Sequence, residues 1–186
     1  MADPALLARA ASGDLEAFER LLEPRLPRLY RMAVTITRSE ADARDAVQDA
    51  SVSAWREVPR LRQPERFDSW LDQILVNACR MLLRRSRRVA VREIDLARDD
   101  DDAGVRSGSG HPRVAESSPD FGEADAIRRA FDRLDADTRS LLVLHYVEER
   151  PIAEIARVLG QPTGTVKWRL SNARKTLSRA LEVERR

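Results

Sequence analysis

Pro151-Ile152-Ala153-Glu154-Ile155-Ala156-Arg157-Val158-Leu159-Gly160-Gln161-Pro162-Thr163-Gly164-Thr165-Val166-Lys167-Trp168-Arg169-Leu170 reads as a helix, a tight turn and a second, cationic helix. Ile152, Ile155, Ala156 and Leu159 recur at helical spacing, and Gly160 supplies the left-handed residue that ends a helix. Pro162 with Thr163 marks the next start, after which Val166, Leu170, Ala173 and Leu177 form an apolar seam for docking on the first helix. The other face carries Thr165, Lys167, Trp168, Arg169, Asn172, Arg174 and Lys175. In a helix-turn-helix, the early residues of the second helix meet base edges in the major groove. A solvated basic face is the ordinary fate of such a helix, so this stretch alone points to DNA without saying what binding achieves.

The rest of the chain narrows the choice. Among 186 residues, 34% are charged and 5% aromatic, and no convincing alternating strand occurs, so the fold class is all-α. The single cysteine, Cys79, lies in an apolar helical run; it excludes an intramolecular disulfide and suits a reducing cytoplasm as a small buried hydrophobe. No apolar run approaches a bilayer-spanning length, which predicts a soluble, unexported protein without membrane insertion. The net charge of +2 conceals an asymmetry: residues 93–125 carry −7 and the remainder +9, so two basic lobes flank an acidic connector. That distribution suits a polyanion-binding protein.

Asp3-Pro4 and Asp14 mark two short capped helices separated by Gly13, and the helical period resumes from Leu26 to Ile36. Ser39 followed by Asp42 resembles a capping box for a helix from about Glu40 to Glu57. Pro59 and Pro64 bracket a loop, after which Phe67, Trp70, Leu71, Ile74, Leu75, Ala78 and Leu82 form a strongly apolar helix ending in Arg84-Arg85-Ser86-Arg87-Arg88. From Asp99 to Pro119, aspartates, glycines and serines replace large apolar residues, predicting a flexible linker. Its glycines have no Gly-Lys-Ser/Thr beside them and are not a phosphate loop. Helical periodicity returns from Phe121 to Leu134 and continues through Leu141, Leu142, Leu144 and Val147. Two small helical domains follow, over residues 1–92 and 121–186, joined by an acidic linker over 93–120.

In order and spacing these residues resemble an extracytoplasmic-function sigma factor, a minimal member of the sigma-70 family that directs bacterial RNA polymerase to promoters. The resemblance is carried by Leu29-Tyr30-Arg31-Met32-Ala33, Asp42-Ala43-Arg44-Asp45-Ala46-Val47-Gln48-Asp49, Ala54-Trp55, Phe67-Asp68-Ser69-Trp70-Leu71 and Val76-Asn77-Ala78-Cys79-Arg80 in the first lobe. In the second it is carried by Leu134-Asp135, Glu154-Ile155-Ala156, Pro162 through Lys167, Arg169-Leu170 and Ala173-Arg174. It implies a region 2-like bundle and a region 4-like helix-turn-helix domain. It also implies that Asp42, Asp45, Gln48 and Asp49, with Trp55 closing the apolar side, grip the clamp helices of the polymerase's largest subunit, while the C-terminal domain meets the flap.

By the same resemblance the first lobe melts the −10 element and holds its nontemplate strand. Phe67 and Trp70 would stack on an unpaired base, an interaction worth about 1–3 kcal/mol, and Asn77 would read a base edge. Arg80, Arg84, Arg85, Arg87 and Arg88 would hold phosphates. The second lobe would read the −35 duplex: Lys167 and Arg169 on guanines, Arg174 and Lys175 on phosphates, with Thr163, Thr165, Trp168 and Asn172 beside them. An anti-sigma factor is an expected partner, and no cofactor is expected.

Several positions depart from the family pattern. Arg44 stands where an acid is usual, Ala46 and Ser51 replace larger apolar residues, Trp168 replaces a small residue and Asn172 a basic one. A stand-alone helix-turn-helix regulator is the first alternative, but it has no need of an acidic strip followed by an aromatic and arginine-rich helix. Catalysis is disfavoured, because neither His111 nor His145 has a nucleophile or metal-ligand set nearby in sequence.

Overall fold

The computed structural model describes residues 2–98 and 122–184, with side chains described for 2–86 and for 126–182 except 180 and 181. Every regular element among them is helical. The first lobe contains α1 (Pro4–Ala11), α2 (Leu15–Leu22), α3 (Leu26–Thr37), α4 (Glu40–Glu57) and α5 (Phe67–Arg98), with single 3-10 turns at Glu23–Arg25, Val58–Arg60 and Pro64–Arg66. The second contains α6 (Gly122–Asp132), α7 (Ala136–Leu142), α8 (Ile152–Leu159) and α9 (Thr163–Glu184).

The helix starts obey the capping chemistry of the sequence. Asp3 accepts a hydrogen bond from the Ala5 amide at 2.8 Å, Asp14 from Ala17 at 3.1 Å and Ser39 from Asp42 at 3.2 Å. Gly13 turns the chain between α1 and α2 at φ +96°. Gly160 ends α8 at φ +63°, and the Gln161 amide donates to the Ala156 carbonyl at 2.9 Å. That backbone conformation costs glycine little, and it aims α9 back across α8.

Packing explains why α4 is so rich in alanine. Its buried residues are Ala43, Ala46, Ala50 and Ala54, one apolar edge of methyl groups that lets it lie against both α3 and α5. Larger side chains come from the neighbours: Leu29, Met32 and Ile36 of α3 and Phe67, Leu71, Leu75 and Val76 of α5 are all sealed from solvent. Each such burial stabilises the fold by about 1.5–3 kcal/mol. Cys79 is also buried, and burial pushes its thiol up to about 12, so it serves as an inert core residue. In the second lobe Leu141, Leu144, Ile155, Leu159, Val166, Leu170 and Ala173 close a smaller core.

α3 packs on α7, and α5 packs on α7 and α8, so one apolar core runs through both lobes. α5 continues to Arg98, beyond the Arg88 at which the arginine run suggested an end. Residues 89–98 contain neither glycine nor proline, so no stop signal interrupts the helix there. The linker expected over Asp99 to Pro119 lies outside the described residues.

Candidate nucleic-acid interface

On α4, the alanine edge faces inward and the acidic strip faces out. Asp45, Gln48 and Asp49 are exposed, whereas Asp42 is half-buried at the capped N-terminus. Val52, 43% exposed, extends this strip by one helical step and was not singled out by the sequence reading. Trp55 is half-buried and packs against Phe18 with ring centroids 5.3 Å apart. Ala46 is fully buried, so its small size belongs to helix packing rather than to the exposed strip. Ser51 donates to the Val47 carbonyl at 2.7 Å, while Arg44 reaches Glu40 only at 3.5 Å on the surface.

At the start of α5, Phe67 and Trp70 part company. Phe67 is fully buried, with its ring 5.6 Å from that of Trp70 and the Arg25 guanidinium 5.1 Å from its centroid. It cannot receive a base without leaving the core, which corrects its expected role as a stacking platform to that of a support beneath Trp70. Trp70 is half-buried and lines a cleft of about 460 Å³ with Arg60, Arg62, Gln63 and Arg66 of the preceding loop. Glu154 and Arg157 of α8 form part of the opposite wall. One aromatic edge surrounded by guanidinium groups is a suitable receptacle for an unstacked nucleotide. Arg25 also binds Asp68; burial raises that carboxyl, but the Arg25 hydrogen bond and the surrounding positive charges, Arg25 and Arg28 among them, together hold Asp68 below its ordinary value.

Further along α5, Asn77, Arg84 and Arg85 are exposed. Arg87 and Arg88 lie on the same helix, but their side chains fall outside the described residues. Arg80 is turned away from solvent: its Nε donates to Asp137 at 2.7 Å and it reaches the Leu159 carbonyl at 3.5 Å, both in the second lobe.

α9 divides along the expected seam. Val166, Leu170 and Ala173 are buried, while Thr163, Thr165, Lys167, Trp168, Asn172 and Lys175 are exposed. Trp168 is 67% exposed and forms no part of the core. Arg174 is engaged locally, donating to the Tyr146 hydroxyl and lying 5.4 Å from that ring's centroid. Arg169 is only partly exposed and lies 3.4 Å from Asp137 and 3.8 Å from Asp135.

Comparison with known proteins follows these two lobes. The chain matches sigma-70 region 2 over residues 21–89 and sigma-70 region 4 over residues 124–177. It is 35% identical to the extracytoplasmic-function RNA polymerase sigma factor SigM of Mycobacterium tuberculosis, over 96% of this chain and 84% of that protein. The chain belongs to the extracytoplasmic-function sigma factors. Among solved structures, CnrH in complex with the cytosolic domain of CnrY aligns with a TM-score of 0.64 at 30% identity, covering 98% of this chain and 99% of that one. The sigma factor RpoE, in complex with the anti-sigma factor NepR from Bartonella quintana, aligns at 0.60 with 27% identity, covering 89% and 97%.

As a sigma factor the protein directs transcription initiation by RNA polymerase, and its regions 2 and 4 bind core polymerase and promoter DNA. The family is one of non-catalytic initiation factors. Among the described residues no helix is long and apolar enough to cross a membrane.

Between the two regions the sigma factor holds a polar seam that its sequence did not announce. Asp72 is fully buried and accepts from Arg28 and from Arg150, each at 2.7 Å. Arg28 also binds Glu148 at 2.6 Å. Burial raises the Asp72 carboxyl above its ordinary value, and the bonds from Arg28 and Arg150 draw it back only in part. Arg139 donates to the Ile36 carbonyl at 2.7 Å, satisfying a group near the C-terminus of α3 that has no partner within its own helix. Arg38 pairs with Asp132 at 2.5 Å. A π-helical turn at Val143–Val147, followed by Glu149 at φ 50°, brings Glu148 and Arg150 to the first lobe.

Proposed function

We propose that the sigma factor reads a bipartite promoter, with residues 1–92 acting on polymerase and the −10 element and residues 121–186 on the −35 element. Asp42, Asp45, Gln48 and Asp49, extended by Val52 and backed by Trp55, grip the clamp helices of the largest polymerase subunit; region 4 meets the flap. Trp70 and the arginine-lined loop take up an unstacked base of the opened −10 strand, Asn77 reads a neighbouring base edge, and Arg84, Arg85, Arg87 and Arg88 hold phosphates. Arg80 joins them when released from Asp137. On the duplex, Lys167 and Arg169 contact guanine edges, Thr163, Thr165, Trp168 and Asn172 line the groove, and Arg174 and Lys175 meet phosphates.

The observation that carries this reading is the division of α9 into a buried seam and an exposed cationic face headed by Lys167 and Trp168. Residues 99–121 connect α5 to α6 and so join the two elements in sequence. The protein works in the cytoplasm as a specificity subunit without a catalytic centre or cofactor. An anti-sigma factor regulates it, a reading supported by the complexes in which CnrH and RpoE were solved.

Run-off transcription with purified core polymerase tests the proposal, on a promoter located by sequencing transcripts after controlled expression. Specific initiation should require the chain, and Arg169→Ala should weaken discrimination at its base pair by about 1–3 kcal/mol. Absence of any specific transcript would sink it.

A further inference from the structure

The arginines where the two lobes meet fall into two sets. Arg25, Arg28, Arg80 and Arg150 each hold a carboxylate, and Arg139 holds a carbonyl oxygen. Arg60, Arg62 and Arg66 of the segment before α5, with Arg157 of α8, instead line one cleft of about 460 Å³. Among the described residues none of these four guanidinium groups has an ion pair or a hydrogen bond. Of the two carboxylates lining the cleft, Glu154 already pairs with Arg150 at 3.3 Å, so Glu57 alone is left to oppose four cations. A single solvated arginine is ordinary; four around one cleft make a surplus of positive charge that an anionic ligand would satisfy.

The rest of the lining says what kind of anion. Val158 is buried, Leu61 and Trp70 are half-buried, and Trp70 rests on the sealed Phe67 with ring centroids 5.6 Å apart. That backing fixes a flat aromatic wall beside an apolar floor. Gln63 and Gln73 add exposed amides, each with a donor and an acceptor at its tip. An aromatic wall takes a flat ring, an amide reads the edge of that ring, and guanidinium forks take phosphate oxygens in pairs. A neutral ring compound would leave all four arginines without an acceptor, and inorganic phosphate would leave the aromatic wall bare. The volume lies within the range of small-molecule sites.

We propose that this cleft binds a free nucleoside polyphosphate, with its base against Trp70 and its phosphates among Arg60, Arg62, Arg66 and Arg157. Arg157 separates this site from strand capture: the promoter reading gives it no DNA contact, whereas a free nucleotide meets both walls. A bound nucleotide takes the place which that reading gives to an unstacked base of the −10 strand, so the two exclude each other. The exclusion rests on the promoter reading; the binding does not.

The test uses the full chain without DNA or polymerase, at physiological ionic strength. Isothermal titration calorimetry with GTP and with ATP should show one saturable site, and inorganic triphosphate should bind at least about five-fold more weakly because it lacks a base to stack. Arg157→Ala, and separately Arg62→Ala with Arg66→Ala, should each weaken nucleotide binding about ten-fold. Arg84→Ala with Arg85→Ala removes two exposed charges of α5 outside the cleft and should change affinity by less than about two-fold. Trp70→Ala should abolish the preference for nucleotide while triphosphate still binds, which also shows that the cleft remains folded. No saturable binding up to about 5 mM nucleotide would overturn the site. So would equal losses in the cleft and control variants, or triphosphate binding as tightly as GTP. Run-off transcription judges the promoter reading separately, so failure of nucleotide binding would leave that reading standing.

Discussion

The first lobe and the seam it shares with the second are held by different kinds of force. Between α3, α4 and α5 the interior is methyl and aliphatic: Ala43, Ala46 and Ala50 against Leu29, Met32, Leu71 and Leu75, with no solvent reaching Leu71 or Leu75. At the seam an apolar floor is framed by Asp72, Arg28, Arg150, Glu148 and Arg139. An apolar interior has no good alternative partner in water, whereas charged groups do. The contrast is between a permanent side, closed by aliphatic packing alone, and a conditional side, where the shared apolar core is bordered by charged groups that water can also solvate.

Leu75→Ala strikes the permanent side hardest. It should destabilise the first lobe by about 2–5 kcal/mol, read by urea denaturation, because a cavity in a tightly packed interior adds to the lost burial. A loss below about 1 kcal/mol would mean that the alanine-rich helix relaxes into the gap, and the contrast with the seam would weaken. Arg139→Met acts on the conditional side and is smaller. It leaves the Ile36 carbonyl without its donor, at a cost of about 1–3 kcal/mol. Its distinguishing effect is on cooperativity: calorimetry should resolve two transitions, one per lobe, where the natural chain gives one. A single transition in both proteins would show that the seam cannot be loosened apart from the cores.

Local chemistry was legible in the sequence, and long-range charge pairing was not. Asp3, Asp14, Ser39 and Gly160 cap or end helices as their types predict, and Val166, Leu170 and Ala173 bury the face that their spacing assigned. Phe67 carried an ambiguous signal, since one helical position suits both burial and base stacking; proximity to Trp70 and Arg25 decides it. Nothing in the local sequence marks Asp72 as buried, yet it is sealed from solvent. Its burial depends on Arg28 and Arg150, 44 and 78 residues away, which no periodicity connects. Ala46 likewise shows its purpose only when α3 and α5 are placed on either side. The continuation of α5 was readable from the absence of glycine and proline after Arg88, but the arginine run gave a false stop.

The smallest expected effect separates the lobes by their helix caps. Ser39 starts α4 in the first lobe with a group that does not titrate near neutral pH, whereas Asp135 starts α7 in the second with a carboxylate accepting from the Thr138 amide and hydroxyl, each at 2.9 Å. Burial raises the Asp135 carboxyl, but these bonds and the nearby Arg169 outweigh it and hold the group below its ordinary value. The unfolded chain therefore takes up this proton more readily. The stability Asp135 contributes is complete above the unfolded value, about 3.9, and is lost as pH falls through the still lower folded value. Ser39→Ala should cost about 1 kcal/mol at every pH, and Asp135→Ala about the same at pH 7 but progressively less below pH 4. Asp135→Asn keeps the cap without the titration, so it should be nearly neutral at pH 7 and flatten the acid limb of a denaturation series. Were Asp135→Ala to cost as much at pH 2 as at pH 7, the carboxylate would not be the group that holds α7, and the acid sensitivity of the second lobe would have to arise from the seam.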